Sequence, residues 1–397
     1  MKKPVPRSAS VRKPALQAAR KTPRKAAKKV VAKKAAKKVA KKAAKKATAT
    51  ARPPQGPLTL EQAQAIAGGP PPERAAGTRG AARARARALS ATAAAPPTPE
   101  TVENERKRLR KLRETEDKER IKHYKTTMSL MQRRGVRGIA TPGTRAAAAG
   151  PLRILAEGDS WFDYPVPFFG GGIITRLEKK LGVPILNLAK AGDEVRFMLG
   201  VEERLEIINQ LKAGSPAGGA WDVMLFSGGG NDVVDNPMVL WLNRFKPGMT
   251  APQLINQPRY DHALGMIRAG YEDLIALRDA LSPGTHLVFH AYDFALPDGR
   301  GVCGKGPWIK PSLDVKGVPA NSTVAKDLVK ELLKQFALMI DGLANSHPGI
   351  TFINGQGTLQ PVPASWHNEL HPERAGFEKF AELFRAKLKA LFPSRVP

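Results

Sequence analysis

The chain has one cysteine, Cys303, few aromatic residues (6%) and no acidic residue before Glu61. A single cysteine excludes an internal disulfide and any multi-cysteine zinc site, and it fits a reducing compartment without requiring one. No apolar run approaches the roughly 18–20 residues of a membrane span. The charged start is not followed by the apolar stretch of about 7–15 residues that marks a signal peptide. These absences predict a soluble, cytoplasmic protein. What is present is positive charge, unevenly spread. Of 65 Lys+Arg and 35 Asp+Glu, 39 and 9 fall in residues 1–150, which therefore carry the whole net charge of +30; residues 151–397 hold 26 of each.

At 397 residues there is room for two domains, or for one large domain with an appendage. Residues 1–50 are expected to form a disordered polycationic tail. Residues 21–46 are a Lys/Ala repeat with too few large apolar side chains to build a core. Its cations are dense enough to bind nucleic acid or another polyanion by counterion release, without reading sequence. A solubilising tail with no dedicated partner is the other reading. Binding to DNA would imply association with nucleoid or chromatin. Residues 51–98, rich in Pro, Ala, Gly and Arg, read as linker. Residues 99–137 read as one charged, solvated helix, although Ile121, Tyr124, Met128 and Met131 have the 3-4-3 spacing of a short helix–helix contact. Residues 138–150 read as a hinge.

After residue 150 the pattern changes. Short apolar runs at 152–157, 184–189, 222–227, 285–292 and 350–353 alternate with helical patterns at 173–181, 195–211, 261–281, 322–345 and 372–391. Such alternation predicts a parallel sheet covered on both faces, which binds ligands beyond the carboxyl ends of its strands. Three polar motifs fall just after predicted strands: Gly158-Asp159-Ser160-Trp161, Ala191-Gly192-Asp193 and Gly229-Gly230-Asn231-Asp232. A fourth, Asn368-Glu369-Leu370-His371-Pro372, precedes the last helix. A serine hydroxyl is a poor nucleophile until a base takes its proton. Ser160 is the candidate nucleophile and His371 the candidate base. The backbone N–H groups of Ser160 and Gly192 and the side-chain amide of Asn231 are candidate donors to an oxyanion. A glycine lets the backbone approach substrate closely, and a neutral amide donates at any pH.

These four blocks, in this order on a βα pattern, resemble those of the SGNH (GDSL-like) hydrolase superfamily over about residues 151–393. The resemblance implies an α/β fold, a three-layer α/β/α sandwich with a five-stranded parallel sheet (flavodoxin-like). It implies hydrolysis of carboxylic esters, whether of lipids, acetylated sugars or thioesters, with no metal and no organic cofactor. Ser160, Gly192, Asn231 and His371 take the family's four named roles. One position departs. The family commonly has an aspartate three residues before the histidine, where this chain has Asn368. Asn368 can accept from His371 Nδ1–H, but it brings no negative charge to stabilise an imidazolium, and it can favour the wrong tautomer. In a triad protease that change costs about 10⁴ in kcat. A Ser–His dyad, an acid from elsewhere and a weak enzyme all fit, as does Asn368 serving as a loop residue that caps the last helix. Glu369, one residue nearer, is expected to point elsewhere. The tail resembles, in composition alone, the Lys/Ala-rich tails of histone H1 and H1-like bacterial proteins.

Trp161, Phe162, Tyr164, Phe168 and Phe169 form an aromatic stretch that fits an acyl site or, more plainly, core. Residues 295–320 are a long Gly/Pro-rich excursion on the predicted catalytic edge. They fit a lid carrying Trp308 or a plain surface loop. Trp161 and Trp308 are the candidate substrate-binding residues. Gly299 to Gly304 formally match G-x-G-x-x-G, but Pro297 precedes and Lys305-Gly306-Pro307 follows, so no helix opens there. His367 and His371 flank Glu369 as H-x-E-x-H, which is not a zinc-protease motif. Asp159 and Asp232 are expected to tie loops together. Two functions remain. One is a serine esterase tethered by a polyanion-binding tail. The other, kept open by Asn368, is a catalytically weak or inactive protein of this fold acting as a nucleic-acid-associated binding or scaffold protein.

Overall fold

The computed structural model describes residues 56–68, 99–135, 150–165, 170–302 and 304–397. The tail at 1–50, most of the linker and hinge, and Phe168, Phe169 and Cys303 lie outside the described residues. In chain order the helices and strands are α1 (Leu60–Ala67), α2 (Pro99–Arg134), β1 (Ile154–Gly158), α3 (Ile173–Leu181), β2 (Ile185–Asn187), α4 (Val195–Met198), α5 (Val201–Ala213), β3 (Val223–Ser227), α6 (Gly230–Val234), α7 (Ala251–Leu254), α8 (Gln257–Leu281), β4 (His286–His290), α9 (Lys310–Lys316), α10 (Thr323–Ser346), β5 (Ile350–Ile353) and α11 (Arg374–Leu391). A 3₁₀ helix spans Asn236–Trp241.

The five strands form one sheet in the order β2-β1-β3-β4-β5, every pair parallel, with Ile154 opposite both Ile185 and Val223. β1 and β3 are buried at every residue, which is why they read as continuous apolar runs and not as alternating ones. Helices lie on both faces. On β4, Phe289 meets Tyr271 of α8 edge-on at 4.9 Å, while the next residue, His290, meets Phe384 of α11 at 5.4 Å. Adjacent strand residues point to opposite faces. Strand order reverses at β1, with β2 on one side and β3 on the other. The crevice beyond the ends of β1 and β3 is therefore where such a sheet receives a ligand.

Three elements differ from their expected form. The helix predicted over 195–211 is two, α4 and α5, because Gly200 takes an extended N-cap conformation (ψ 165°) where an α-helix would have to continue. α8 begins four residues before its periodic pattern, since Asn256 caps it and Pro258 sits in its first turn. α1 falls within the segment read as linker. It is closed by a capping box in which Thr59 and Gln62 bond reciprocally, and Leu58, Leu60 and Ala63 are buried.

α2 also differs from the solvated helix expected. Its first half is exposed, but Tyr124, Met128 and Met131 are buried, and α1 packs against it. The Tyr124 ring lies 5.6 Å from that of Trp221, the residue leading into β3. Burying side chains of this size contributes about 1.5–3 kcal/mol each. The described residues between Gly56 and Pro397 therefore fall in one compact unit, which takes in α1 and α2 beside the 151–393 that the motifs delimit. No helix among the described residues is long and apolar enough to cross a membrane.

Candidate active site

Ser160 sits two residues beyond the end of β1, in the turn leading toward α3. The strand can end so close to β3 because residue 158 is glycine: a Cβ there would lie 2.6 Å from the Ser227 carbonyl. Asp159 then closes the turn. Its Oδ1 accepts from Trp161 N (2.9 Å) and Ser227 Oγ (3.0 Å), and its Oδ2 accepts from the Tyr292 hydroxyl (2.6 Å). Burial pushes this carboxyl up to about 6. Asp159 is thus committed to holding the Ser160 turn to Ser227 and Tyr292, at the ends of β3 and β4. Asp232 ties down a neighbouring loop in the same way, accepting from Val195 N at 3.0 Å.

The Ser160 hydroxyl lies 2.6 Å from His371 Nε2, and His371 Nδ1 lies 2.9 Å from Asn368 Oδ1. Sequence alone could not say which amide atom faces the imidazole. Here Asn368 Oδ1 also accepts from the backbone N–H groups of Leu370 (2.9 Å) and His371 (3.0 Å). Two fixed backbone donors require an acceptor, so the atom they meet is the oxygen. The proton of His371 must then reside on Nδ1, leaving the Nε2 lone pair free for the serine. The Asn368 amide nitrogen donates to the Tyr164 hydroxyl (3.1 Å), which is 2.7 Å from His367 Nδ1. Asn368 therefore both bonds the backbone of its own loop and fixes the tautomer of the His371 imidazole.

His371 is buried and has no charged carboxylate on its far side. Burial, with a smaller contribution from the nearby His367, holds its pKa down at about 3. The imidazole is neutral across the physiological range. Tyr164, within the aromatic stretch read as acyl site or core, is buried beside His371, its ring centroid 4.4 Å from that of the imidazole. Only its position four residues after the serine hinted at proximity.

Gly192 follows β2 in a loop whose backbone has φ +91°, a conformation that disfavours side chains. A Cβ on it would meet nothing within 4 Å, so it borders open space. Asn231, in the first turn of α6, donates one amide hydrogen to the Asp193 carbonyl at 2.9 Å. Asn231 also lines the cleft beside Ser160. That cleft, with a volume of about 20 Å³, is lined by Ser160, Trp161, Asn231, Tyr292, Ala295 and Leu370, among others. A larger groove of about 770 Å³ lies between α10, β5 and α11, and none of the candidate site residues lines it.

The two tryptophans have different places. Trp161 is 4% exposed, with its ring edge-on to Tyr292 (5.2 Å) and Phe380 (4.9 Å). Its Nε1 donates to the Leu370 carbonyl at 3.2 Å. Although it borders the cleft, its ring is core, and it clips the serine turn to the histidine loop. Trp308 is half-buried, its ring 5.9 Å from that of His371 at 78°.

Trp308 is brought there by Glu369. The Glu369 side chain turns away from His371, as expected, but into the 295–320 excursion. Its two oxygens accept the backbone N–H groups of Gly299 (2.9 Å), Trp308 (2.6 Å), Ile309 (2.9 Å) and Lys310 (3.1 Å). Arg300 completes the attachment by donating to the Trp366 carbonyl at 2.7 Å. Four charge-assisted bonds at one carboxylate make the excursion a fixed wall of the site, carrying its own short helix α9. No cluster of three or more His, Cys, Asp or Glu side chains arranged for a metal occurs among the described residues.

No family model matches the chain, and no curated protein does. Similar solved structures include the lipase Lip_vut3 from a goat rumen metagenome, 18% identical with a TM-score of 0.40, covering 59% of this chain and 96% of that one. Another is an extracellular lipase from Streptomyces rimosus, 16% identical with a TM-score of 0.39, covering 59% of this chain and 99% of that one. Likeness at this level assigns neither a family nor the role of any residue.

Proposed function

We propose that the chain is a serine ester hydrolase of the SGNH type, with a three-layer α/β/α catalytic unit. The observation that carries this reading is the hydrogen-bonded line from Ser160 Oγ through His371 to Asn368 Oδ1, in which two backbone N–H groups set the amide and the amide sets the tautomer. Ser160 Oγ attacks the acyl carbon while its proton passes to His371 Nε2. The carbonyl π electrons move onto oxygen, which collects the N–H groups of Ser160 and Gly192 and the side-chain amide of Asn231. Collapse of this intermediate breaks the bond to the alkoxide, which takes the proton from His371. Water, deprotonated by the same imidazole, then releases the acid and restores the serine. Trp308 borders the side of the base.

A fluorophosphonate probe tests this reading directly, because it phosphonylates only an activated serine. Labelling of the full-length protein that disappears in Ser160→Ala is the expected result. A folded sample that stays unlabelled would leave the binding or scaffold reading in its place. Turnover of p-nitrophenyl esters of increasing chain length then defines the acyl group the site takes.

Residues 1–50 are proposed to bind nucleic acid or another polyanion on composition alone. A gel shift with DNA should be lost when the tail is removed. The truncated chain must begin near Gly56 and not near Leu152, because α1 and α2 belong to the compact unit. Equal DNA binding by the two chains would reject the tail as the binding segment.

A further inference from the structure

We infer that Arg120, on the helix preceding the hydrolase motifs, is a positioning residue for both catalytic loops, so that α2 is a working element of the active site. This rests on the esterase reading above. One face of α2 carries Arg113, Asp117 and Arg120, and all three reach the loops after β1 and β2. The Arg120 side chain is 9% exposed. Its Nη2 donates to Asp163 Oδ1 at 2.9 Å, three residues after the nucleophile. Its Nη1 donates to the Asn187 carbonyl at 2.8 Å and, more weakly, to that of Ala189 at 3.4 Å, three residues before Gly192. A single planar guanidinium therefore ties the serine turn to the oxyanion loop, a double attachment that lysine cannot reproduce.

The neighbouring residues hold the same loop from the same side. Lys190 Nζ is 3.8 Å from Asp117 and 3.4 Å from Glu203. Arg113 pairs with Glu203 and lies 3.9 Å from Asp193. From the opposite side the loop is fixed by Asn231, which donates to the Asp193 carbonyl, and by Asp232, which accepts from Val195 N. Lys190 N donates to the Gly158 carbonyl at 2.8 Å. Between these attachments Ala191 and Gly192 are exposed, and a Cβ on Gly192 would meet nothing within 4 Å. An oxyanion donor must be held to within about 0.5 Å to be effective. Loss of Arg120 removes the guanidinium that joins the loop to the serine turn, and leaves the loop held by Lys190 to Gly158 and Glu203 and by Asn231 and Asp232.

The test uses the full chain and reads the site twice: by the second-order rate of fluorophosphonate labelling, in which the phosphonyl oxygen occupies the same hole, and by ester turnover. Arg120→Ala is expected to slow both by about 30–100-fold while KM moves by less than about threefold, since misplacement by about 1 Å costs that much in rate. Millimolar guanidinium should restore some of the lost rate in Arg120→Ala and none in Ser160→Ala. Mere structural support would show no such recovery. If Arg120→Ala does not fold, Asp163→Asn removes the charged partner with little change of shape, and it should lower kcat in the same direction. Wild-type labelling and turnover in a folded Arg120→Ala, or in the folded Asp163→Asn that replaces it, overturn the inference and spare the esterase reading. An unlabelled wild-type protein overturns both.

Discussion

Replacing His371 with alanine is expected to lower ester turnover by about four orders of magnitude, with the Ser160→Ala, His371→Ala double variant no worse than either single one. Groups that act as one unit fail together, because removing the base leaves a serine hydroxyl of ordinary basicity while the oxyanion donors continue to contribute. Additive losses would mean that His371 and Ser160 do not share a proton. The pH profile is a second check. The His371 pKa of about 3 lies far below the usual 6.5 of histidine, because burial disfavours the imidazolium. The base therefore stays unprotonated in mild acid, and kcat/KM should not fall through a titration near pH 6.5. Stability behaves differently. Between about pH 6.5 and 3 the unfolded chain binds a proton that folded His371 does not, so this residue's contribution is full above 6.5 and is lost progressively as pH falls. A thermal melt should drop in that window more in the wild type than in His371→Ala.

The sheet was legible because buried parallel strands leave continuous apolar runs, and residues 350–353 and 173–181 match their elements to the residue. The candidate site was legible as residue types: Ser160 and Gly192 fall in loops beyond strands, Asn231 in the first turn of the helix after β3, and His371 in the loop before α11. What sequence could not supply was direction. Asn368 carries an acceptor and a donor on one planar group, and only the Leu370 and His371 amides decide which faces the imidazole. Glu369 reads as a stray acid until four backbone donors from residues 299–310 are seen around it. α2 is the largest difference, for a related reason. Arg113, Asp117 and Arg120 look like solvated charge when the loops they pair with lie tens of residues away in sequence. The Thr59–Gln62 capping box was a local signal present in the sequence, masked by the Pro- and Gly-rich residues around it.

Asn368 is the position where two substitutions should move activity in opposite directions. Asn368→Leu keeps the approximate volume and removes every polar contact of a fully buried amide. The acceptor of His371 Nδ1–H disappears, as does the acceptor of two backbone N–H groups. The imidazole then has no fixed tautomer, and turnover should fall by about 10³-fold, approaching the cost of the wrong tautomer in a triad protease. Buried donors left unsatisfied cost about 1–3 kcal/mol each, so the melting temperature should fall as well. Asn368→Asp preserves the acceptor that these three donors meet and adds a negative charge beside the imidazolium. The Tyr164 hydroxyl, which now accepts from the Asn368 amide, can turn to donate to the new carboxylate, and His367 can donate to Tyr164 through its other tautomer. Each unit by which the charge raises the His371 pKa represents about 1.4 kcal/mol of imidazolium stabilisation. A rise of about tenfold in kcat is therefore expected, with the acid limb of the profile shifting upward from its depressed position. Measuring kcat and its pH dependence for both variants decides the matter: a fall in Asn368→Asp with the profile unmoved would mean that Asn368 serves the loop backbone alone and that His371 is oriented by another group.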